Sequence, residues 1–231
     1  PPPLDPAAIA HRREERQAQI LKALNPEQAR AVTTTEGPLL ILAGAGSGKT
    51  RVLAHRIAYL VGVNGVPPWR ILAVTFTNKA AKEMRERIEK VVGSDARNLW
   101  MGTFHSVFAR ILRAEAHHLG YPNSFTIYDT DDSRTLIKNI VKEMGLDDAA
   151  YKPSTVFNRI SAAKNSLISW QDYQTNAELM GDDAANLRPE VAKIYKAYAL
   201  RCYKAGAMDF DDLLFNTDKL FKEHLEVLNK Y

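Results

Sequence analysis

Small and cationic residues at positions 43–51 have the types and spacing of a phosphate-binding loop. Three glycines alternate with small residues before a lysine and a threonine, in the order Ala43-Gly44-Ala45-Gly46-Ser47-Gly48-Lys49-Thr50-Arg51. Because glycine has no Cβ, successive backbone N–H groups can turn toward one oxyanion. Lys49 can then contact the outer phosphates of a nucleotide, and the Thr50 hydroxyl can bind Mg²⁺. The strict pattern has glycine where Ala43 stands, and the alternative is a glycine-rich turn without a nucleotide role.

A second candidate for nucleotide contact is Gln28, which lies about twenty residues before the loop. Asn25 is a good N-cap, Pro26 suits the first helical position, and Gln28 is placed for a capping box. This structural role accounts for the residue by itself. Alternatively, the amide of Gln28 both donates and accepts hydrogen bonds and can read the edge of adenine.

The elements around the loop predict an α/β fold. Apolar runs at 39–42, 71–74 and 98–102 are predicted strands. Helical patterns follow them at 51–61, at 80–92 and, after residues 103–106, to about 119. Strands that alternate with helices indicate a doubly wound parallel sheet, with ligand-binding loops at the carboxyl ends of the strands. The phosphate loop and the segments 75–79 and 103–106 are therefore expected at one edge.

From residue 121 the pattern becomes helical. A short extended piece is predicted at 125–129, and helices at 130–144, 153–163, 172–180, 189–205 and from 209 nearly to 231. Before the phosphate loop, residues 1–6 are proline-rich and predicted to be a mobile lead-in, and residues 7–23 a charged helix. The predicted division is an extension at 1–23, an α/β domain beginning at 24–110, an inserted helical subdomain at 111–205, and a return to the α/β domain at 206–231.

The charge distribution and the cysteine content indicate the kind of partner and the cellular compartment to expect. The net charge is +4, but residues 24–110 alone carry 12 Lys and Arg against 6 Asp and Glu, as expected beside a polyanion. No apolar run approaches the ~20 residues that span a bilayer. The single cysteine, Cys202, excludes an internal disulfide and is expected to be a buried thiol. We therefore predict a cytoplasmic protein.

Five motifs occur along the chain: Leu-Asn-Pro-Glu-Gln at 24–28, Ala-Gly-Ala-Gly-Ser-Gly-Lys-Thr at 43–50, Val-Thr-Phe-Thr-Asn-Lys-Ala-Ala at 74–81, Gly-Thr-Phe-His-Ser at 102–106 and Asp-Phe-Asp-Asp-Leu-Leu at 209–214. Together, and in this order, they resemble the UvrD/Rep/PcrA group of superfamily 1 DNA helicases, from about Leu24 to the end of the chain. The resemblance accounts for Ala43, because phosphate loops of the family commonly begin with alanine. It implies a RecA-like P-loop NTPase fold with an inserted all-helical subdomain.

The resemblance also implies roles for single residues. Gln28 would recognise adenine, and the loop from Ala43 to Arg51 would bind ATP and Mg²⁺. Residues of the second and third loops would line a single-stranded DNA track, namely Thr75, Phe76, Asn78, Thr103, Phe104, His105 and Ser106. Phenylalanine can stack on any base, and hydroxyls and amides can hold phosphates. The alternatives are core packing for the two phenylalanines and a structural role for His105.

Other polar residues are given structural roles. Lys164 lies in a segment that resembles the family, but we interpret it as a solvated lysine. Asp209, Asp211 and Asp212 match a family motif whose role is mainly structural, although the acidic run has the appearance of a metal site.

The implied function is that of an ATP-dependent DNA helicase that moves 3′ to 5′ on single strands in DNA repair or replication. Its expected partners are single-stranded DNA, single/double-strand junctions and a second motor domain of the same parent chain, with no membrane. ATP hydrolysis in the family needs an Asp-Glu pair on a later strand and arginines from the second motor domain. We therefore expect an N-terminal fragment that lacks the catalytic base and is inactive by itself.

Three alternatives remain from the sequence. The chain can be the helicase part of a RecB/AddA-type nuclease-helicase subunit. A P-loop kinase or GTPase also carries Gly-Lys-Thr, but it gives no reason for the motifs at 74–81 and 102–106. A non-catalytic single-strand binding module does not need a phosphate loop.

Overall fold

The computed structural model describes residues 5–231, so the first four residues of the predicted lead-in lie outside the described part. The chain divides into two compact units between Val107 and Phe108. The described residues are mostly helical, with two small parallel sheets, one in each unit. Because each unit has its own hydrophobic core, each is described separately.

The first unit contains four complete helices, two strands and the start of a fifth helix. In chain order these are α1 (Pro6–Leu21), α2 (Pro26–Thr33), α3 (Lys49–Gly62), β1 (Leu72–Thr75), α4 (Asn78–Val92), β2 (Trp100–Thr103) and α5 (Phe104–Glu115), within which the division falls. Short 3-10 helices cover Pro68–Arg70 and Gly93–Asn98. The bounds agree with the predicted helices at 7–23, 51–61 and 80–92.

The helices of this unit begin where the sequence indicates. The predicted capping box is formed, since Gln28 N donates to Asn25 Oδ1 at 2.9 Å and Asn25 N donates to Gln28 Oε1 at 3.2 Å. Thr77 caps α4 in the same way, because its Oγ1 accepts from Ala80 N at 3.2 Å. The apolar faces of these helices form the core, which includes Ile20, Val32, Val52, Ile57, Met84, Ile88 and Leu99.

The two predicted strands at 71–74 and 98–102 form a parallel pair. Leu72 lies opposite Trp100, and Thr75 lies opposite Thr103, so the strands end in register. Arg85 on α4 supports this pair, because its Nη2 donates to Met101 O at 3.2 Å. Two strands of the predicted doubly wound sheet are thus present, and the larger sheet stays a prediction.

The predicted strand at 39–42 is wrong for this structure. These four residues have no regular secondary structure, and Leu40 and Leu42 are 82% and 87% exposed. An isolated strand leaves its backbone N–H and C=O groups without partners. Among the described residues, β1 and β2 pair only with each other, so nothing holds this apolar run in an extended ladder.

The second unit is a helical body with one short parallel pair. After α5 and a 3-10 helix at Ala116–Leu119, its elements are β3 (Thr126–Tyr128), α6 (Thr130–Glu143), α7 (Pro153–Asn165), α8 (Trp170–Tyr173), α9 (Ala177–Ala185), α10 (Val191–Lys204), β4 (Ala207–Asp209), α11 (Phe210–Glu223) and α12 (Leu225–Lys230). Its core includes Ile137, Val141, Val156, Ile160, Tyr173, Ile194 and Tyr198. Cys202 is buried there as predicted, and burial raises the pKa of its thiol to about 12.

Three predictions for this unit need correction. Strand β4 was not predicted, and it pairs in parallel with β3 so that Tyr128 lies opposite Asp209. Three residues are too few for a periodic signal in the sequence. The helix predicted at 172–180 is interrupted between α8 and α9, and the helix predicted from 209 nearly to 231 breaks at His224.

Lys164 is the clearest error, because it is a buried ion-pair residue and not a solvated lysine. It is 4% exposed, and its Nζ lies 2.7 Å from Asp209 Oδ2 and 2.8 Å from Asp212 Oδ1. Tyr198 OH also donates to Asp209 Oδ2 at 2.8 Å. Burial opposes the charge on Lys164, but the two carboxylates outweigh burial and raise its pKa. The acidic run at 209–212 is thus structural, as expected.

Candidate functional site

The phosphate loop lies at the start of α3 and takes its shape from two glycines. Gly46 and Gly48 have φ angles of +76° and +86°, in the left-handed region that glycine adopts without strain. Gly48 is the N-cap of α3, and Val52 N donates to its carbonyl at 3.0 Å to begin the helix. The N-terminal amides of α3 and the positive end of its dipole are thus directed at the loop, as anion binding requires.

The side chain of Lys49 lies across the loop that it is expected to serve. Its Nζ donates to Ala43 O at 3.0 Å and to Gly44 O at 2.7 Å. The Ser47 hydroxyl also donates to Gly44 O, at 2.6 Å. These carbonyls thus hold the Lys49 ammonium at the loop, where phosphate binding requires a positive charge. A phosphate group would compete with these carbonyls for Lys49.

Gln28 is attached to the loop as well as to its own helix. Its Nε2 donates to Ser47 O at 3.1 Å, while its Oε1 accepts from Asn25 N in the capping box. A Cβ added at Gly48 would lie 3.0 Å from Gln28 Nε2, so α2 and the loop approach closely here. Both ends of the amide therefore have partners within the protein, and one N–H of the amide is left for another acceptor.

A cavity of about 450 Å³ lies beside this contact. Its lining combines Gln28, Lys49 and Ala43 with Glu27, Arg30 and the apolar run at 39–42. The volume is in the range of small-molecule sites. Of the predicted residues from Ala43 to Arg51, Ala43, Ser47 and Lys49 line the cavity. Thr50 is half-buried in the first turn of α3, and Arg51 is exposed.

Arg56 is a positioning residue that sequence reasoning missed. Its Nη1 donates to Ala31 O at 2.7 Å and also to Thr34 O, which holds the end of α2 against α3. The contact joins residues 25 positions apart, and no local pattern in the sequence marks it. It fixes the helix that carries Gln28 relative to the helix that begins at Lys49.

The expected nucleic-acid residues meet at the carboxyl ends of β1 and β2. The rings of Phe76 and Phe104 follow the two strands directly, and their centroids lie 5.4 Å apart with an interplanar angle of 42°. Phe76 is 86% exposed, which excludes the core-packing alternative for this residue. Phe104 is half-buried. The parallel register places Thr75 beside Thr103 at the same edge.

Some residues at this edge have structural roles in the fold. Thr103 is buried, and its Oγ1 accepts from Ser106 N at 3.2 Å, while the Ser106 hydroxyl donates to Thr103 O at 2.9 Å. These bonds form the first turn of α5. Gly102 is required beneath them, because an added Cβ would lie 2.3 Å from Ser106 Oγ. Asn78 begins α4 in an exposed position, and His105 is half-buried in α5.

The aromatic edge and the phosphate loop belong to the same unit. One part offers backbone amides, an ammonium and a hydroxyl, which suit a nucleotide and its Mg²⁺. The other part offers an exposed aromatic face, which suits a nucleobase. No helix among residues 5–231 is long and apolar enough to cross a membrane.

Comparison with known proteins gives one family. The family model described as UvrD/REP helicase N-terminal domain matches residues 24–231. The chain is 46% identical over 213 residues to an ATP-dependent DNA helicase PcrA of Bacillus subtilis strain 168, and 48% identical over 213 residues to one of Leuconostoc citreum. It is 46% identical over 212 residues to a PcrA of Staphylococcus aureus strain Mu50.

Each of these matches covers 92% of this chain and 28% of the relative. The chain thus spans about a quarter of the length of these relatives and corresponds to their N-terminal part. The match separates it from P-loop kinases, GTPases and non-catalytic single-strand binding modules, which the sequence had left as alternatives. The chain belongs to the UvrD/REP helicase N-terminal domain family.

Proposed function

We propose that this chain is the N-terminal ATP-binding portion of an ATP-dependent DNA helicase that moves on single-stranded DNA. The observation that carries the proposal is the contact of the Lys49 ammonium with its own glycine loop, where it donates to the carbonyls of Ala43 and Gly44. Gln28 Nε2 donates a hydrogen bond to Ser47 O of the same loop. The relatives are named ATP-dependent DNA helicases, which supports the activity of the parent protein. The polarity of 3′ to 5′ and a role in repair or replication rest on the family resemblance.

The groups around the phosphate loop have different roles in nucleotide binding. Backbone amides from Gly44 to Lys49 surround the phosphates, and Lys49 moves from the carbonyls of Ala43 and Gly44 to the outer phosphates. The Thr50 hydroxyl would hold Mg²⁺, and the ion would neutralise phosphate charge. Gln28 contacts adenine through its remaining amide N–H or by releasing Ser47 O. Its capping role and its adenine role are compatible because they use different atoms.

The edge of β1 and β2 binds the DNA strand. Phe76 stacks on a base of any identity, and Phe104 supports its ring. Thr75, Asn78 and His105 hold the sugar-phosphate backbone, while Thr103 and Ser106 keep the turn in shape. The basic excess of residues 24–110 attracts the polyanion. Junctions of single and double strands and a second motor domain of the parent are further partners in this proposal.

The proposed organisation follows the sequence boundaries. Residues 24–110 begin a RecA-like motor domain, residues 111–205 are an inserted helical accessory subdomain, and residues 206–231 return to the motor domain. The helix-rich composition of the second unit supports the inserted subdomain. A reducing compartment, inferred from the single buried cysteine, supports a cytoplasmic location.

The proposal is tested by titrating the 231-residue chain with a fluorescent ATP analogue in the presence of Mg²⁺. We expect weak binding that Lys49→Ala reduces at least about tenfold, because the phosphates lose the ammonium group of the Gly-Lys-Thr motif. Lys22→Ala is the matched control, since it removes an exposed lysine at the end of α1. Equal affinities for the two variants would contradict the proposed nucleotide site.

A further inference from the structure

Five imidazole and carboxylate side chains converge in the second unit, and none of them belongs to the proposed nucleotide or DNA site. We call Glu115, His117, His118, His224 and Glu226 the histidine cluster. The centroids of His117 and His118 lie 4.3 Å apart, and those of His118 and His224 lie 4.9 Å apart. Residues more than a hundred positions apart thus bring three imidazoles and two carboxylates together.

The cluster forms where regular structure ends in two places. Helix α5 ends at Glu115, and the 3-10 helix at Ala116–Leu119 carries the first two histidines. His224 lies at the break between α11 and α12, with φ of −129° and ψ of 81°. Because the chain turns at this residue, its ring faces His118 instead of continuing along α11. The break therefore positions a side chain that a continuous helix would direct elsewhere.

We propose that His118, His224 and Glu226 form a binding site for a divalent transition metal, with Zn²⁺ as the ion that the donor set fits best. One ligand atom from each of the three residues lies within 4.8 Å of the other two. His224 Nδ1 is 3.2 Å from Glu226 Oε1, and His118 Nδ1 is 4.0 Å from the same oxygen. Donor atoms around tetrahedral zinc are roughly 3.4 Å apart, given zinc–ligand distances near 2.1 Å.

The chemistry of the donors selects the metal class. Two imidazoles and one carboxylate are ligands of zinc sites that keep a fourth position for water, whereas Ca²⁺ and Mg²⁺ prefer oxygen ligands only. His224 is half-buried and Glu226 is exposed, so an ion can reach the site from solvent. Because the donor atoms already lie within 4.8 Å of one another, small side-chain rotations would bring them to binding distance.

Glu115 fits a supporting role and not a ligand role. Its Oε2 lies 3.6 Å from His118 Nε2, on the opposite side of the ring from the proposed ligand atom Nδ1. Its Oε1 accepts from Lys230 Nζ at 2.5 Å and from Tyr231 OH at 2.9 Å. A carboxylate that accepts from the second nitrogen of a metal-binding histidine fixes the ring and its tautomer. Glu115 is thus a positioning residue.

His117 belongs to the alternative set with Glu115 and His118. That set would require Glu115 to leave the lysine and the tyrosine that already hold its Oε1. The set with His224 and Glu226 leaves those bonds intact. A bound ion would connect the 3-10 helix at Ala116–Leu119 with the junction of α11 and α12, and so stabilise the end of the second unit.

The test is an isothermal titration of the 231-residue chain with zinc chloride, after removal of any histidine tag. We expect one Zn²⁺ per chain, with binding weakened at least tenfold in His224→Asn and in His118→Asn. Glu226→Gln removes the exposed ligand without opening a buried space, and we expect a similar loss. For Glu115→Gln we expect a loss of about tenfold, as for other supporting carboxylates.

His11→Asn is the matched control. His11 Nε2 lies 3.3 Å from Glu15 Oε1 on α1, so this variant removes a histidine paired with a glutamate outside the cluster. We expect its zinc affinity to equal that of the unmodified chain. The melting temperature with added zinc should rise in the unmodified chain and in His11→Asn, but not in Glu226→Gln.

Two results would overturn the proposal. Substoichiometric binding that Glu226→Gln and His224→Asn leave unchanged would exclude the site. A loss of affinity in His117→Asn, together with unchanged affinity in His224→Asn, would replace the assigned ligand set by the alternative set.

Discussion

At the scale of single residues, the buried group around Lys164 shows how environment changes the chemistry of one side chain. One ammonium lies between two carboxylates in the core of the second unit. Burial opposes the ionisation of Asp209, but Lys164 outweighs it and holds the pKa below its usual range. One cation cannot compensate both carboxylates, so burial and the charge of Asp209 raise the pKa of Asp212 to about 6 despite Lys164.

This arrangement predicts a pH dependence of stability. The pKa of Asp212 is higher in the folded chain than its ordinary value of 3.8, so the folded state binds more protons between that value and about pH 6. The stability that Asp212 contributes is therefore full at lower pH and is lost as the pH rises through about 6. Relative to Asp212→Asn, we expect the unfolding free energy of the unmodified chain to decrease by roughly 3 kcal/mol across this range.

Urea unfolding of both proteins at a series of pH values measures this difference. Asp211→Asn serves as the control, because Asp211 is adjacent but does not contact Lys164 in the ion pairs of the described residues. A difference between the unmodified chain and Asp212→Asn that is independent of pH would show that Asp212 is ionised throughout.

At the scale of elements, the parallel pairing of β1 and β2 brings two separate sequence motifs together in one surface. The two strands end in register, so that Thr75 lies opposite Thr103. The residue that follows each strand is a phenylalanine. A shift of one residue in the register would separate the two rings. The 42° tilt between the rings leaves Phe76 with most of its surface in solvent.

We predict that Phe76→Ala weakens binding of single-stranded oligonucleotides by about 1–3 kcal/mol, the usual value of one stacked base. The loss should be nearly independent of base sequence. Fluorescence anisotropy with labelled oligo-dT and a mixed sequence measures it. Trp69→Ala is the matched control, because Trp69 is 64% exposed but lies in the turn before β1. If both variants bind like the unmodified chain, the aromatic edge is not a DNA contact.

At the scale of the whole molecule, the chain is two units with separate cores and covers 28% of the length of its relatives. The first unit carries both the phosphate loop and the aromatic edge, while the second carries the buried ion pair and the histidine cluster. In the first unit, the apolar run at 39–42 is unpaired among the described residues and exposed just before the loop. The segment before the phosphate loop, where the sequence predicts a strand, therefore gives the loop only weak support.

We predict that the 231-residue chain shows no DNA-stimulated ATP turnover. Its sequence contains no consecutive Asp-Glu pair, which ATP hydrolysis in the family needs to hold Mg²⁺ and to orient the attacking water. A coupled assay of phosphate release, with and without oligo-dT, tests this expectation. Lys49→Ala identifies contaminating ATPases, because only turnover by this chain depends on that lysine. Turnover in the unmodified chain that Lys49→Ala abolishes would contradict the prediction.

Much of the fold follows from local patterns that the sequence displays. The helices α2, α3 and α4 and the strands β1 and β2 were predicted because capping residues and apolar periodicity act over a few positions. Strand β4 and the break at His224 were missed, since each depends on contacts with distant residues. The run at 39–42 was predicted as a strand, but apolar composition cannot form a ladder without a partner.

The sequence by itself determined the chemistry of the phosphate loop, because glycine spacing and the Lys-Thr pair act within nine consecutive residues. It also determined the family, through five motifs in order. Only the tertiary structure decided which polar residues meet. The pairing of Lys164 with Asp209 and the meeting of His118 with His224 both join positions that are distant in the chain, and such contacts leave no local signal. In the group around Lys164, burial and the neighbouring charges together then set the pKa values, because the cost of removing a charge from water depends on its final surroundings.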